Sequence, residues 1–92
     1  MVKHIVMWRL KNKAEAAGVK QQLEGMRGRI EGLLALEVGL NFAEGSPVDI
    51  ALYSEFTDRA ALNAYADHPV HVPVKQFVSA RVAERWVTDY EI

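Results

Sequence analysis

The order in which strand-like and helix-like periodicities follow one another constrains this chain more than any other feature. A strand repeats every two residues and buries one face, whereas a helix repeats every 3.6 and buries a stripe. Residues 2–10 alternate, with Val2, His4, Val6, Trp8 and Leu10 on one face and Lys3, Ile5, Met7 and Arg9 on the other. Asn12 then offers a capping side chain for a helix expected over 13–32, whose stripe is Val19, Leu23, Met26, Ile30 and Leu33. A second strand is expected over 34–42, with Leu34, Leu36, Val38, Leu40 and Phe42 on one face. Glu44-Gly45-Ser46-Pro47 reads as a turn, and a third strand follows over 49–56, burying Ile50, Leu52 and Phe56. Asp58 caps a short helix over 59–67, which His68-Pro69 interrupts because a residue before proline is pushed out of helical geometry. Helix resumes over 72–82, with Pro73 in its first turn, and residues 84–91 form the closing strand.

The resulting order, β-α-β-β-α(broken)-β, is the ferredoxin-like α+β pattern, an antiparallel sheet with helices on one side, in a single domain over residues 1–92. One helical layer covers one face of the sheet. The other face is not polar, since it carries Ile5, Met7, Ala51, Tyr53, Trp86, Tyr90 and Ile92. A sheet apolar on both faces requires a second cover, and a two-fold homodimer packed sheet to sheet supplies it. The charge distribution allows such pairing: residues 1–33 hold seven basic groups against three acidic ones, while residues 34–92 hold four against nine.

Composition excludes several classes of function. The formal net charge of −1 lacks the basic footprint of a nucleic-acid binder. Without cysteine there is no disulfide, thiolate metal site or thiol nucleophile. No apolar run reaches membrane-spanning length, and Lys3 and Arg9 fall within the first strand rather than before a leader's apolar core, so a cytoplasmic protein is expected.

The chemistry-bearing residues are few. His4 points toward the helices, and His71 heads the stripe that continues through Val74, Val78 and Val82. Tyr65 faces inward three residues after Leu62, and Asp89, alternating with Val87, is expected to turn inward and bind His71. A carboxylate holding one imidazole nitrogen fixes the other as acid or base, and a phenol beside it can stabilise an oxyanion. The same residues equally suit a buried hydrogen-bonded plug with no catalytic role. His68 reads as a turn residue, and a metal site is not expected, because Pro69 breaks the helix that would align His68 with His71 and no third ligand adjoins them.

The Val2-Lys3-His4-Ile5-Val6 opening, the Glu37-Val38-Gly39 strand, the Tyr65-Ala-Asp-His68-Pro69-Val-His71 segment and the Asp89-Tyr90 ending resemble the stress-responsive dimeric α/β-barrel (Dabb) family. The resemblance implies a dimer whose two sheets close a barrel, with a pocket between sheet and helices in each subunit and no cofactor. Its expected lining is His4, Val6 and Trp8 from the first strand, Leu23 and Val74 from the helices, and Leu52 and Val87 from later strands. A plant polyketide cyclase related to this family, which forms olivetolic acid by aldol closure, has a tyrosine and histidines matching Tyr65, His71 and His4 and an aspartate matching Asp89. Its further tyrosine and histidine are replaced here by Leu23 and Ile50. The leading expectation is a family domain binding a small, largely apolar ligand. The alternative is aldol or proton-transfer catalysis by His71 and Tyr65 with Asp89, and a cofactor-independent monooxygenase is a third reading of the same fold.

Overall fold

A computed structural model describes residues 1–92. Strand β1 (Val2–Leu10) leads through a 3₁₀ turn (Lys13–Glu15) into helix α1 (Ala16–Glu24). Strands β2 (Leu33–Leu40) and β3 (Ile50–Phe56) form a hairpin, helices α2 (Arg59–Ala66) and α3 (His71–Ser79) follow, and β4 (Val82–Glu91) closes the chain. The sheet runs β2-β3-β1-β4 with every neighbouring pair antiparallel. This is the ferredoxin-like fold expected from the periodicities, broken second helix included. No helix is long and apolar enough to cross a membrane.

Asp58 caps α2 as expected, accepting from the Ala61 amide at 2.8 Å. Asn12 accepts from the Ala14 amide at 3.0 Å and so caps the 3₁₀ turn rather than α1, whose own N-cap Glu15 makes no capping side-chain hydrogen bond. The first helix is much shorter than its apolar stripe. It ends at Gly25, and residues 25–32 continue as turns that still bury Met26 and Ile30. Gly28 and Gly32 adopt φ of 77° and 81°, a left-handed geometry that stops a helix and that side chains with a Cβ resist. At Gly32 space is also lacking, since a Cβ there would lie 2.5 Å from that of Ala61 on α2.

Strand β2 departs from its expected face as well. A bulge between Leu33 and Ala35 leaves Leu34 unpaired and 54 % exposed, so Leu36 and Val38 are buried while Leu34 is not. Phe42, expected on the same inner face, lies beyond the strand and is exposed.

The core joins Val2, Val6, Leu36, Val38, Ile50, Leu52 and Phe56 of the sheet to Val19, Leu23, Met26 and Ile30 from α1 and the turns after it. Helices α1 and α2 pack mainly over β2 and β3. The helix-facing side of the β1–β4 pair therefore has thinner cover, and no residue of β4 is fully buried. On the opposite face, Ile5, Tyr53 and Trp86 are half-buried and Met7 and Tyr90 exposed, with no helix of this chain above them. Lys3, Tyr53 and Glu55 form a hydrogen-bonded cluster on that face, with Lys3 2.9 Å from the Glu55 carboxylate.

Candidate functional site

Under the thinly covered β1–β4 half, between the sheet and helices α2 and α3, lies a cavity of about 470 Å³. That volume is within the range of small-molecule sites. Val6, Trp8, Leu23, Leu52, Val74 and Val78 supply its apolar wall, and His4, Tyr65, His71 and Asp89 supply polar groups.

The sheet register explains the first pair. His4 stands opposite Asp89 across the β1–β4 ladder, on the face turned toward the helices. Its Nδ1 donates to the Asp89 carboxylate, which fixes the tautomer and leaves Nε2 as the free ring nitrogen. Behind it, the Ser54 hydroxyl donates to the His4 carbonyl at 2.9 Å and locks the backbone. Asp89 was expected to hold His71. It does not, because strand pairing brings it beside His4, and His71 finds its partners elsewhere.

Those partners are two carbonyls at the end of α2, that of Tyr65, which also accepts from the His68 amide, and that of Ala66. His71 Nδ1 donates to Tyr65 O at 3.0 Å and to Ala66 O at 3.3 Å, and Lys75 Nζ donates to Ala66 O at 3.1 Å. Carbonyls only accept, so the His71 proton is on Nδ1 and its Nε2 carries the lone pair. Burial pulls the His71 pKa below that of a free imidazole, outweighing the two carbonyls, which act the other way. His68 makes the turn that sets this up: its Nδ1 accepts from the Val70 amide at 3.0 Å, and its carbonyl accepts from the amides of His71 and Val72. With His68 and His71 thus engaged separately, no group of three or more metal-ligating side chains forms.

Tyr65 is buried against Phe56, their ring centres 5.1 Å apart, and stacks on His71 at 3.9 Å with 16° between planes. Burial pushes its phenol up to about 12, so at neutral pH it is a proton donor. Every fully buried side-chain nitrogen and oxygen in the chain has a partner. The Tyr65 hydroxyl, His4 Nε2 and His71 Nε2 have no partner within the chain and are not fully buried, and all three residues line the cavity.

Of the expected lining residues, Val87 alone is outside the cavity. It pairs with Val6 and shares the helix-facing side, but on an edge strand without a helix above it the side chain is 48 % exposed. Ile50 is wholly within the core. The cavity also takes in Leu62, Asn63, Lys75, Ser79 and Arg85, which the pattern reading passed over. Arg85 was within reach of that reading, since it alternates with Val87 and Asp89, and Lys75 falls one helical turn after His71.

The family profile of the stress-responsive A/B barrel domain, Dabb, matches residues 2–92. The chain belongs to the Dabb family. Among solved structures it is similar to a dimeric protein of unknown function with a ferredoxin-like fold from Bacteroides fragilis, with 34 % identity, 99 % of this chain and 95 % of that one covered, and a TM-score of 0.89. A Dabb family protein from Mesorhizobium loti is 25 % identical, with 99 % and 95 % covered and a TM-score of 0.80. The hydroxynitrile lyase of Passiflora edulis shares the fold, with a TM-score of 0.85 over 99 % and 92 % of the chains, at 15 % identity. A comparison with curated proteins of described function gives no match.

Proposed function

We propose that this Dabb domain is a homodimer in which each protomer's cavity binds a small, largely apolar carbonyl compound and moves a proton at the carbon beside the carbonyl. One observation carries the chemical part: His4 Nε2, His71 Nε2 and the Tyr65 hydroxyl have no partner within the chain and belong to residues that line one cavity, while each imidazole is held at its other nitrogen. Polar atoms left open in an otherwise satisfied interior are what a ligand would complete.

The roles follow from the partners. Asp89 stabilises the imidazolium that forms when His4 takes up a proton, so His4 is the base. The C–H electron pair moves into the new carbon–carbon double bond, and the carbonyl oxygen becomes an enolate oxygen held by the Tyr65 O–H. His71, with its lone pair at Nε2, accepts a hydrogen bond from a ligand hydroxyl. Return of the proton gives exchange or isomerisation, and attack of the enolate on a second carbonyl gives aldol closure.

The test is deuterium uptake at the α-carbons of 2-octanone in D₂O, followed by NMR. Native protein is expected to accelerate exchange, and His4→Gln to slow it by about 10²-fold or more. Exchange no faster with native protein than with His4→Gln sinks the catalytic reading.

For the dimer, the support is the apolar outer face that no part of this chain covers, together with the description of the Bacteroides fragilis relative as dimeric. Light scattering is expected to give twice the chain mass, and Trp86→Glu to shift the protein toward monomer. A monomeric native protein would contradict the proposal.

A further inference from the structure

The chain has six arginines. Five have acceptors in the fold: Arg9 meets Glu84, Arg27 the Leu36 carbonyl, Arg29 the Gly25 carbonyl, Arg59 Glu91, and Arg81 Glu15. Arg85 alone has none, and it lines the cavity.

Arg85 stands at the exposed rim of the cavity, and the register accounts for its lack of a partner within the chain. Arg85 stands opposite Trp8 and faces the helices, while its neighbour Glu84 points to the other side and is taken by Arg9. The one carboxylate on its own face of the cavity, Asp89, is four residues away, roughly 13 Å along an extended strand, and is bonded to His4. The other cation on the wall, Lys75, reaches the Ala66 carbonyl. Apart from its histidines, the cavity is therefore lined by two cations against one carboxylate, and that carboxylate is already engaged. The field of Arg85 reaches the chemical end as well, where it opposes the effect of burial on the Tyr65 phenol.

We infer that the ligand of this cavity carries a carboxylate several carbons from its reacting carbonyl, and that the guanidinium of Arg85 receives it. This rests on the cavity being a ligand site, as proposed above, and adds the class of ligand: an oxo-acid with an apolar chain. The planar guanidinium presents paired N–H donors that match a carboxylate, and an unpartnered one gives up no protein contact on binding. Along the sheet, the Val6–Leu52 pair lies between the Arg85 position, opposite Trp8, and His4, so the anionic head and the reacting carbonyl are read at separate places.

Isothermal titration of octanoate and octanamide, matched in shape and different in charge, tests the inference on the native protein. Octanoate is expected to bind about tenfold more tightly, the size of one charge-assisted contact, and the preference narrows as salt is raised. Arg85→Gln brings the ratio of the two affinities toward one, and Arg85→Lys, which keeps the charge without the planar fork, retains part of it. Equal binding of both compounds, or a preference that survives Arg85→Gln, overturns the role of Arg85 while leaving the cavity as a ligand site. A preference lost in Lys75→Gln and kept in Arg85→Gln assigns the anion to Lys75 and overturns it too. If neither compound binds at all, the ligand-site reading falls and the inference falls with it.

Discussion

One side of this sheet is built in two different ways. Over β2 and β3, α1 and α2 press directly onto the strands, and Ile50 and Phe56 have no exposed surface. Over β1 and β4 the helices stand off, and the space between is lined by His4, Tyr65, His71 and Arg85 as well as by leucine and valine. Both halves share one pleat and one helical layer, so the difference does not come from the fold class. It comes from where polar side chains fall in the alternation. A histidine in the middle of β1 and an aspartate and an arginine on β4 cannot be sealed under a helix without stranding hydrogen-bonding groups, at a cost of several kcal/mol for each unpaired charge. The half that can be closed supplies stability, and the half that cannot supplies the site.

Truncations measure that division. Phe56→Ala, in the closed half, is expected to cost about 3–5 kcal/mol in denaturant unfolding, because the surrounding side chains cannot collapse into the space. Val74→Ala, on the cavity wall, is expected to cost less, since its side chain already borders open volume. Val87→Ala, at the exposed edge, should change stability by no more than about 0.5 kcal/mol. A Val74 variant as costly as the Phe56 variant would mean that the two halves are packed alike.

Much of this architecture is legible in the chain, for reasons that vary by element. The alternation in β1 and β3 is long and regular, and both strands bury the faces their patterns define. The stripe of the first helix misleads beyond Gly25 because Met26 and Ile30 satisfy the same inward demand from a turn; periodicity records which residues are buried, not which backbone buries them. Leu34 misleads because one unpaired residue resets the alternation, and nothing in leucine marks a bulge. At the site, the pattern turns Asp89 toward the helices, but its partner depends on register, and register is a relation between strands. The cavity itself follows from how far the helices stand off the sheet. No residue type announces that distance, so the alternation that turns Arg85 to the helix-facing side does not say that it meets a cavity.

The smallest expected effect belongs to the open half and runs through proton binding. Burial holds the His71 pKa in the folded chain below its ordinary value of 6.5. Between the lowered value and 6.5 the unfolded chain binds a proton that the folded chain does not, so stability rises with pH across that window and is level above it. Tyr65 acts at the other end. Its phenol is raised from 10.0 to about 12, so above pH 10 the unfolded chain loses a proton that the folded chain keeps, and stability falls as pH rises toward 12. Unfolding followed across this range is therefore expected to show a gain on leaving the acidic side and a loss on entering the alkaline one. His71→Gln should flatten the acidic slope and leave the alkaline loss in place, whereas Tyr65→Phe should reduce the alkaline loss and leave the acidic slope. An acidic slope unchanged by His71→Gln would mean that the His71 imidazole is hydrated as freely in the folded chain as in the unfolded one. The open half would then be wetter than its lining implies.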